Sequence, residues 1–492
     1  MAKSIMILGA GVMQIPAILA AKELSLYTLV ADGSACAPAR DMADEFVHID
    51  LKDRDGLLQC AQEFKQSHDL IGVFTAGTDF SANVSYIAQH CHLPGHSYQA
   101  ALNASNKALM RACLAQHHVP SPRFLDIHSS CELQAQMKTI HSWAQGGADF
   151  PVLVAKPVDN MGSRGVCMVR SAQELESAVH DALQYSPTSH IIIEEYMDGR
   201  ELSIDALVYD NQIIICGIAD RYIYYPPYFV ERGHTLPSAL GQDVLDEVRN
   251  IFKQGVRALG LSHGAAKGDI KVTSSGVKIG EIAARLSGGY MSGWTYPYAS
   301  GVNLTKNAML LAIGQKPEAL QPARPLQTCA EWSFISIPGK INAILYEDQA
   351  RKTEHLKEMF MRVKAGDTVC FPRNNVEKCG NFIAVHSDRK IAEQAVRQAA
   401  GRIFLRLEAG NAETSAFLFE EDSPPSPLEN TENACDFNGL TIEQIQERFK
   451  EITGCAFEEI PSEKQLHFHR ATMRGGLQGA VWYYDTFIGE SL

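Results

Sequence analysis

Four short apolar runs in the first hundred residues constrain the fold most: SIMIL (4–8), YTLVA (27–31), EFVHI (45–49) and LIGVF (70–74). Each has the length of a buried strand, and polar-patterned helical stretches separate them. Strands that alternate with helices return parallel to one another through crossovers. This part of the α/β chain therefore reads as a Rossmann-like, doubly wound parallel sheet. Its first turn, GAGVMQ, holds two glycines of a dinucleotide fingerprint, but Gln14 stands where the third belongs. Asp32 lies about where a ribose-binding acid would. Two readings stay open there, a dinucleotide site and a plain strand-to-helix turn. The same start superficially resembles a secretory signal, yet Gly9, Gly11, Gln14 and Pro16 interrupt the apolar run.

The 492 residues suggest three or four domains. A net charge of −13 argues against a broad nucleic-acid face and leaves room for a local phosphate pocket. Twelve cysteines stand singly, without C-x-x-C, as reduced cytoplasmic thiols do. No run reaches the roughly 18 apolar residues of a membrane span.

Further along, a helix is expected through NKALMRACLAQHH, capped by Ser105, with Lys107 in its first turn. The helix dipole favours an anion there. Taken alone, Lys107 reads equally as a solvated surface lysine. PVLVAKP and HIIIEEY read as antiparallel strands, and ELSIDALVY and QIIICGIADR as a hairpin about Asp210 and Asn211. A helix follows over 243–259. In KPVDNMGSRGV (156–166) a lysine precedes a Gly/Ser loop, the reverse of a P-loop.

The most informative stretch is DIKVT-SSG-VKIGE. Taken as a hairpin with a three-residue loop ending in Gly276, it sets Thr273 opposite Val277 and Asp269 opposite Glu281. Like charges so placed destabilise a sheet. Either solvent or a divalent cation must offset them, and magnesium suits paired carboxylates plus phosphate oxygens. If the strand continues, Arg285 faces the same side and can hold a carboxylate or phosphate. SGG (287–289) offers an anion nest.

Together, Lys107, Lys156 with its loop, IIIEEYMDGRE and the Asp269/Glu281/Arg285 hairpin resemble the ATP-grasp superfamily over roughly residues 1–410. The resemblance implies that the first sheet binds no dinucleotide. It implies that Lys107 and Lys156 hold ATP phosphates and that the loop from Asn160 to Gly165, with Ser163, closes over them. Glu194 and the segment Glu195, Tyr196 and Met197 would meet adenine, and Glu201 the ribose. Asp269 and Glu281 would hold magnesium, with manganese as the alternative, and Arg285 the acid substrate. Two departures stand out: Asp269 where Glu is commoner, and Ala283 where the family has asparagine. FVERGHTLPS and EIAARLSGG resemble the L-amino-acid ligases, which places Glu231 and His234 at the substrate. Glu-x-x-His is also what a helical surface pair looks like.

The implied organisation is a Rossmann-like domain (1–100), an ATP-grasp domain of two α+β subdomains (101–320), a small C-terminal α/β domain (321–419), a linker (420–436) and an appendage (437–492). The C-terminal domain mixes strands with one helix, KIAEQAVRQAAGRIFLRL, and the appendage has a helix near TIEQIQERFKEI. The implied activity is a carboxylate–amine ligase acting through an acyl phosphate on two small molecules, with a homodimer left open. A carboxyphosphate-forming enzyme and a non-catalytic ATP-binding protein are the alternatives. The aromatic stretches DRYIYYPPYF and GYMSGWTYPY read either as an apolar pocket or as packing.

Overall fold

The computed structural model describes residues 2–144, 149–318, 320, 326–420 and 435–489. The chain forms two compact units, Met1–Tyr222 with Thr235–Gln327, and Ile223–His234 with Thr328–Leu492.

In the first unit, strands Glu45–His48, Tyr27–Asp32, Lys3–Leu8 and Asp69–Phe74 lie in that order, all parallel. Residues 5–8 and 29–31 are fully buried, which explains why these strands read as continuous apolar runs. The glycine turn after the first strand is filled from within. A Cβ on Gly9 (φ +103°) would stand 2.9 Å from Gln14 Cδ, and Gln14 Nε2 donates to the Ala76 carbonyl. Asp32 accepts from the N–H groups of Ala10 and Ser34, each at 2.7 Å. Gln14 thus packs against the glycine turn, with its amide spent on the Ala76 carbonyl.

A smaller antiparallel sheet follows, in the order Phe124–Ile127, Ile191–Glu195, Leu153–Pro157, Cys167–Val169. One face (Ile127, Leu153, Ala155, Ile191, Ile193) packs on helices Ser130–His141 and Ala172–Tyr185. Alternation along the strands turns Lys156, Ile192 and Glu194 to the other face.

The third group of strands runs Gly276–Ala283, Gly264–Thr273, Arg200–Tyr209, Gln212–Tyr224. Asp210 and Asn211, with φ of +48° and +61°, make the turn between the last two. Leu202, Ile204, Ala206, Ile270, Ile279 and Ile282 form an apolar face against helix Gln242–Ala258. Each such side chain contributes roughly 1.5–3 kcal/mol on burial. The opposite face, by alternation, carries Glu201, Asp205, Arg221, Lys267, Asp269, Lys271 and Glu281.

The helix of Lys107 differs from expectation at its start. It is Lys107–Gln116, capped by Asn106, whose Oδ1 accepts from Ala108 N (2.9 Å) and Leu109 N (3.1 Å). Ser105 instead closes the preceding helix, its hydroxyl donating to the Ala101 carbonyl.

In the second unit, strands Val230–Leu236, Thr328–Phe334, Gly380–His386 and Leu356–Met361 are neighbours in that order. The expected single helix through residues 390–407 is two elements. Helix Arg389–Arg402 ends where Ile403 turns extended, and Phe404–Leu407 pairs as a strand with Gly339–Leu345. Pairing with a neighbouring strand decides the conformation of FLRL against its local helical pattern. The tail folds into Ile442–Thr453, with a Thr441/Gln444 capping box, and Gln465–Phe487, broken at Gly476 (φ +59°). Phe449 and Trp482 anchor it as buried side chains. Of the expected linker, residues 421–434 lie outside the described residues. Among the described residues every cysteine is a free thiol, and no helix is long and apolar enough to cross a membrane.

Candidate active site

Lys156 ends a strand of the smaller sheet, and its Nζ lies 2.7 Å from Glu194 Oε2. Glu194 is buried and also takes Arg111, Nε at 2.7 Å and Nη2 at 3.2 Å. Burial pushes the Lys156 ammonium below its ordinary range, against the pull of Glu194. Burial raises the Glu194 carboxyl, but Arg111 and Lys156 outweigh it and hold the group below its usual value. Both oxygens of Glu194 are thus committed to fixing Lys156 and Arg111, whereas the sequence pointed it at adenine. Lys107 Nζ donates to the Asn160 carbonyl (2.9 Å) and lies 3.7 Å from Glu281 Oε1. Both lysines therefore flank the loop that follows residue 156.

That loop has the backbone of a cradle. Gly162, Ser163 and Gly165 all have positive φ (+67°, +62°, +69°), and Asn160 Nδ2 ties its start to the Tyr185 carbonyl. A Cβ on Gly165 would meet Tyr185 Cβ at 2.9 Å. On the neighbouring strand, Glu195 is held by Arg123 (2.7 Å) and Lys278 (3.0 Å). The N–H groups of Glu195 and Tyr196 donate to the carbonyls of Arg123 and Val152, and Met197 follows in the connection to the next strand. Glu201 pairs with Arg221 (2.6 Å) and Lys271 (3.2 Å).

Asp269 does stand opposite Glu281, although the turn is not the expected one. Thr273 pairs with Gly276 across a two-residue loop, one step out from the anticipated register. A bulge at Gly280, skipped between the Ile270–Ile279 and Asp269–Glu281 pairs, restores it. The bulged carbonyl of Gly280 accepts from Arg111 Nη2 at 2.6 Å. Cations offset the carboxylate repulsion: Lys267 Nζ bonds Asp269 Oδ2, and Arg221 Nη1 lies 2.8 Å from Oδ1. Burial would raise the Glu281 carboxyl, but Lys107, Lys267, Lys156 and Arg285 together hold it well below the usual range. Asp269 Oδ1 is buried without a well-formed hydrogen bond. Two opposed hard-oxygen donors fit magnesium.

Arg285 lies past the strand, which stops at Ala283, so it reaches the site from a bend. It pairs with Asp79, Nη2 at 2.6 Å and Nε at 3.2 Å. Burial lowers its basicity, but Asp79 outweighs this and raises it. The SGG nest is partly spent, because Ser287 N and Oγ both donate to buried Asp205. Burial raises the Asp205 carboxyl against those bonds. The GYMSGWTYPY stretch is packing at Tyr290, Met291 and Tyr296, all buried, the last against Gly217.

Glu231 and His234 belong to the second unit, on a strand and not a helix, so three residues apart they face opposite sides. His234 is buried with its Nδ1 3.3 Å from Glu331 Oε2. The main chain of Glu231 is held by Asn375 and Lys378.

Arg111, Asp79, Arg221 and Lys267 were absent from the sequence expectation. Arg111 had a signal, four residues after Lys107 on one helix face. Arg221 was hidden by a bulge near Cys216, which shifts the hairpin register and brings it opposite Glu201. Asp79 is 206 residues from Arg285, and nothing local marks it.

Residues 148–293 match the ATP-grasp domain, and residues 333–408 match the L-amino acid ligase C-terminal domain 2. An uncharacterized protein, y4rH of Sinorhizobium fredii, is 26% identical over 364 residues, 73% of each chain. Carnosine synthase 1 of Homo sapiens is 22% identical over 346 residues, 66% of this chain, which spans only 41% of that protein. The L-amino acid ligase of Bacillus licheniformis shares the fold, with a TM-score of 0.72 and 19% identity over 82% of this chain and 99% of its own. The chain thus carries an ATP-grasp domain and the C-terminal domain 2 of the L-amino acid ligases, and these matches support a carbon–nitrogen ligase.

Proposed function

We propose that the protein joins the carboxylate of one small molecule to the amine of another, forming an amide or peptide bond with release of ADP and phosphate. The family uses ATP with magnesium, and manganese is the alternative ion at the same oxygens. The observation that carries the reading is the charged sheet face, where Asp269 and Glu281 oppose each other beneath Lys107, Lys156 and Arg285. The metal would be held by Asp269 and Glu281 and would neutralise phosphate charge. Ala283 removes a further oxygen donor, so a single ion is proposed.

Lys107, Lys156 and the 160–165 loop hold the triphosphate, with Glu194 and Arg111 fixing the direction of Lys156. Arg285 leaves Asp79 to orient the substrate carboxylate, whose oxygen attacks the γ-phosphorus while the bond to ADP breaks. Phosphoryl transfer of this kind needs chiefly positioning and electrostatic stabilisation. The amine nitrogen then attacks the acyl carbon, phosphate leaves with the bonding pair, and a base takes the amine proton. His234 or Glu231 is proposed as that base on the resemblance alone, and only one of them can serve, because they face opposite sides of their strand. Asp79, released from Arg285, is placed to meet a substrate ammonium. The free thiols support a reducing, cytoplasmic setting. A homodimer is part of this proposal, and sedimentation tests it.

Chromatography of the nucleotide products decides the mechanism. ADP and phosphate are expected when acid and amine are both supplied, and hydroxylamine with the acid alone should give a hydroxamate. AMP and pyrophosphate would overturn the reading even if ATP binds at this site.

A further inference from the structure

The far edge of the smaller sheet carries a second cluster, unconnected with the charged face of the hairpin. Strand Phe124–Ile127 pairs antiparallel with Ile191–Glu195, with Phe124 opposite Glu194 and Asp126 opposite Ile192. Carrying that register one step past the strand ends sets His128 opposite His190. Asp126, two residues before His128, shares its face and is diagonal to His190. The two imidazoles stack with ring centroids 3.9 Å apart. His190 Nε2 contacts Asp126 Oδ1, and His128 Nε2 lies 3.7 Å from Asp126 Oδ2. One ligand atom from each of the three residues lies within 4.8 Å of the others.

We propose that Asp126, His128 and His190 form a binding site for a borderline transition-metal ion, zinc above all. Three considerations carry this. The donor set, two imidazoles and one carboxylate, is a zinc set and a poor magnesium one. Tetrahedral coordination with bonds of about 2.1 Å puts ligand atoms roughly 3.4 Å apart, within small side-chain rotations of the observed spacing. The residues come from both sides of one backbone ladder, so the sheet fixes them before any ion arrives. His190 is largely enclosed, with 15% of its side chain exposed, while Asp126 (40%) and His128 (57%) open to solvent. An ion can therefore enter, and its fourth position faces water. His190 lies four residues before Glu194 on the same strand face, about 13 Å along the strand. The zinc ion thus sits on the sheet that positions Lys156 without touching that lysine.

The test is zinc titration of the full chain by calorimetry, with magnesium in excess to cover the carboxylate pair. Histidine modification by diethyl pyrocarbonate, read by peptide mass spectrometry, locates the ion. Zinc should protect His128 and His190 while exposed His92 and His180 keep reacting. His128→Gln, at an exposed position, and His190→Ala should each weaken this binding at least tenfold, and Asp126→Asn likewise. Because the thiols also bind zinc, binding that persists unchanged in all three variants overturns the site. So does an absence of protection at His128 and His190, and so does equal protection by magnesium alone. An unchanged far-ultraviolet spectrum for His128→Gln keeps the comparison independent of folding.

Discussion

Replacing Glu194 by glutamine isolates the role of the buried charge cluster. Glu194 is 3% exposed and Arg111 1%, so water screens neither. Three contacts of 2.7, 3.2 and 2.7 Å join the carboxylate to Arg111 and Lys156. Arg111 Nη1 already lacks a hydrogen bond. Glutamine preserves the shape and one acceptor but leaves two cations facing each other in the interior. Removing one partner of a buried pair costs about 3–5 kcal/mol. The retained acceptor and the ease with which Lys156 sheds its proton place the expected loss near 3 kcal/mol. That corresponds to a fall in Tm of roughly 6–12 °C for a domain of this size.

Urea unfolding of wild type and Glu194→Gln measures the difference. The sign of its pH dependence follows from the carboxyl. Its folded-state pKa lies below the ordinary 4.5, so the unfolded chain takes up the proton first. The stabilisation is complete above about pH 4.5 and fades as pH falls through the folded value. The gap between the two proteins should therefore narrow in acid. Replacing Arg111 as well, as Arg111→Met in the Glu194→Gln protein, removes one stranded cation and should recover part of the loss. A Glu194→Gln protein within 1 kcal/mol of wild type at neutral pH, or a gap that widens in acid, would refute the reasoning.

Other substitutions test neighbouring parts of the site. Lys156→Ala should weaken ATP at least tenfold and adenosine hardly at all, by calorimetry with each ligand; equal weakening would make Lys156 a support of the pocket alone. Asp269→Asn and Glu281→Gln should each abolish magnesium-dependent phosphate release. Without metal, Glu281→Gln should melt below wild type, because the surrounding lysines favour the charged carboxylate; a rise in melting temperature would mean that cross-strand repulsion dominates after all.

The fold of the first hundred residues was legible because parallel strands are apolar along their whole length, and the helices between them carry a different period. The hairpin was legible for a subtler reason. Counting from a three-residue loop put Asp269 opposite Glu281, yet the loop has two residues, and the bulge at Gly280 supplies the missing step. Two local features that cannot be read from the residue pattern cancel, and the carboxylates meet. The bulge near Cys216 has no such partner, and Arg221 went unnoticed. FLRL continues the local helical pattern of the residues before it, while its strand partner lies more than 50 residues away. The motif marks Glu194 by position, and only its surroundings show that Arg111 and Lys156 use both its oxygens. What the sequence hides here is tertiary: bulges, distant strand partners and the countercharges of buried groups.

Those countercharges bear on what the site accepts. Seven cations, Lys107, Arg111, Lys156, Arg221, Lys267, Lys271 and Arg285, are interleaved with Asp79, Glu194, Glu201, Asp269 and Glu281, and with Asp205, which burial pushes toward its neutral form. The face therefore carries only a small positive excess, and nearly every cation is already engaged. A polyanion arriving alone would take Lys267 and Lys107 from Asp269 and Glu281 and strand two opposed carboxylates. One that arrives with a divalent cation would replace what it removes, the ion taking the carboxylates as the lysines turn to phosphate. If this face is the nucleotide site proposed above, its ligand-free ion pairs would select against bare nucleotide and favour the magnesium complex. On the proposed function, the same exchange would free Arg285 from Asp79 only when a substrate carboxylate takes its place.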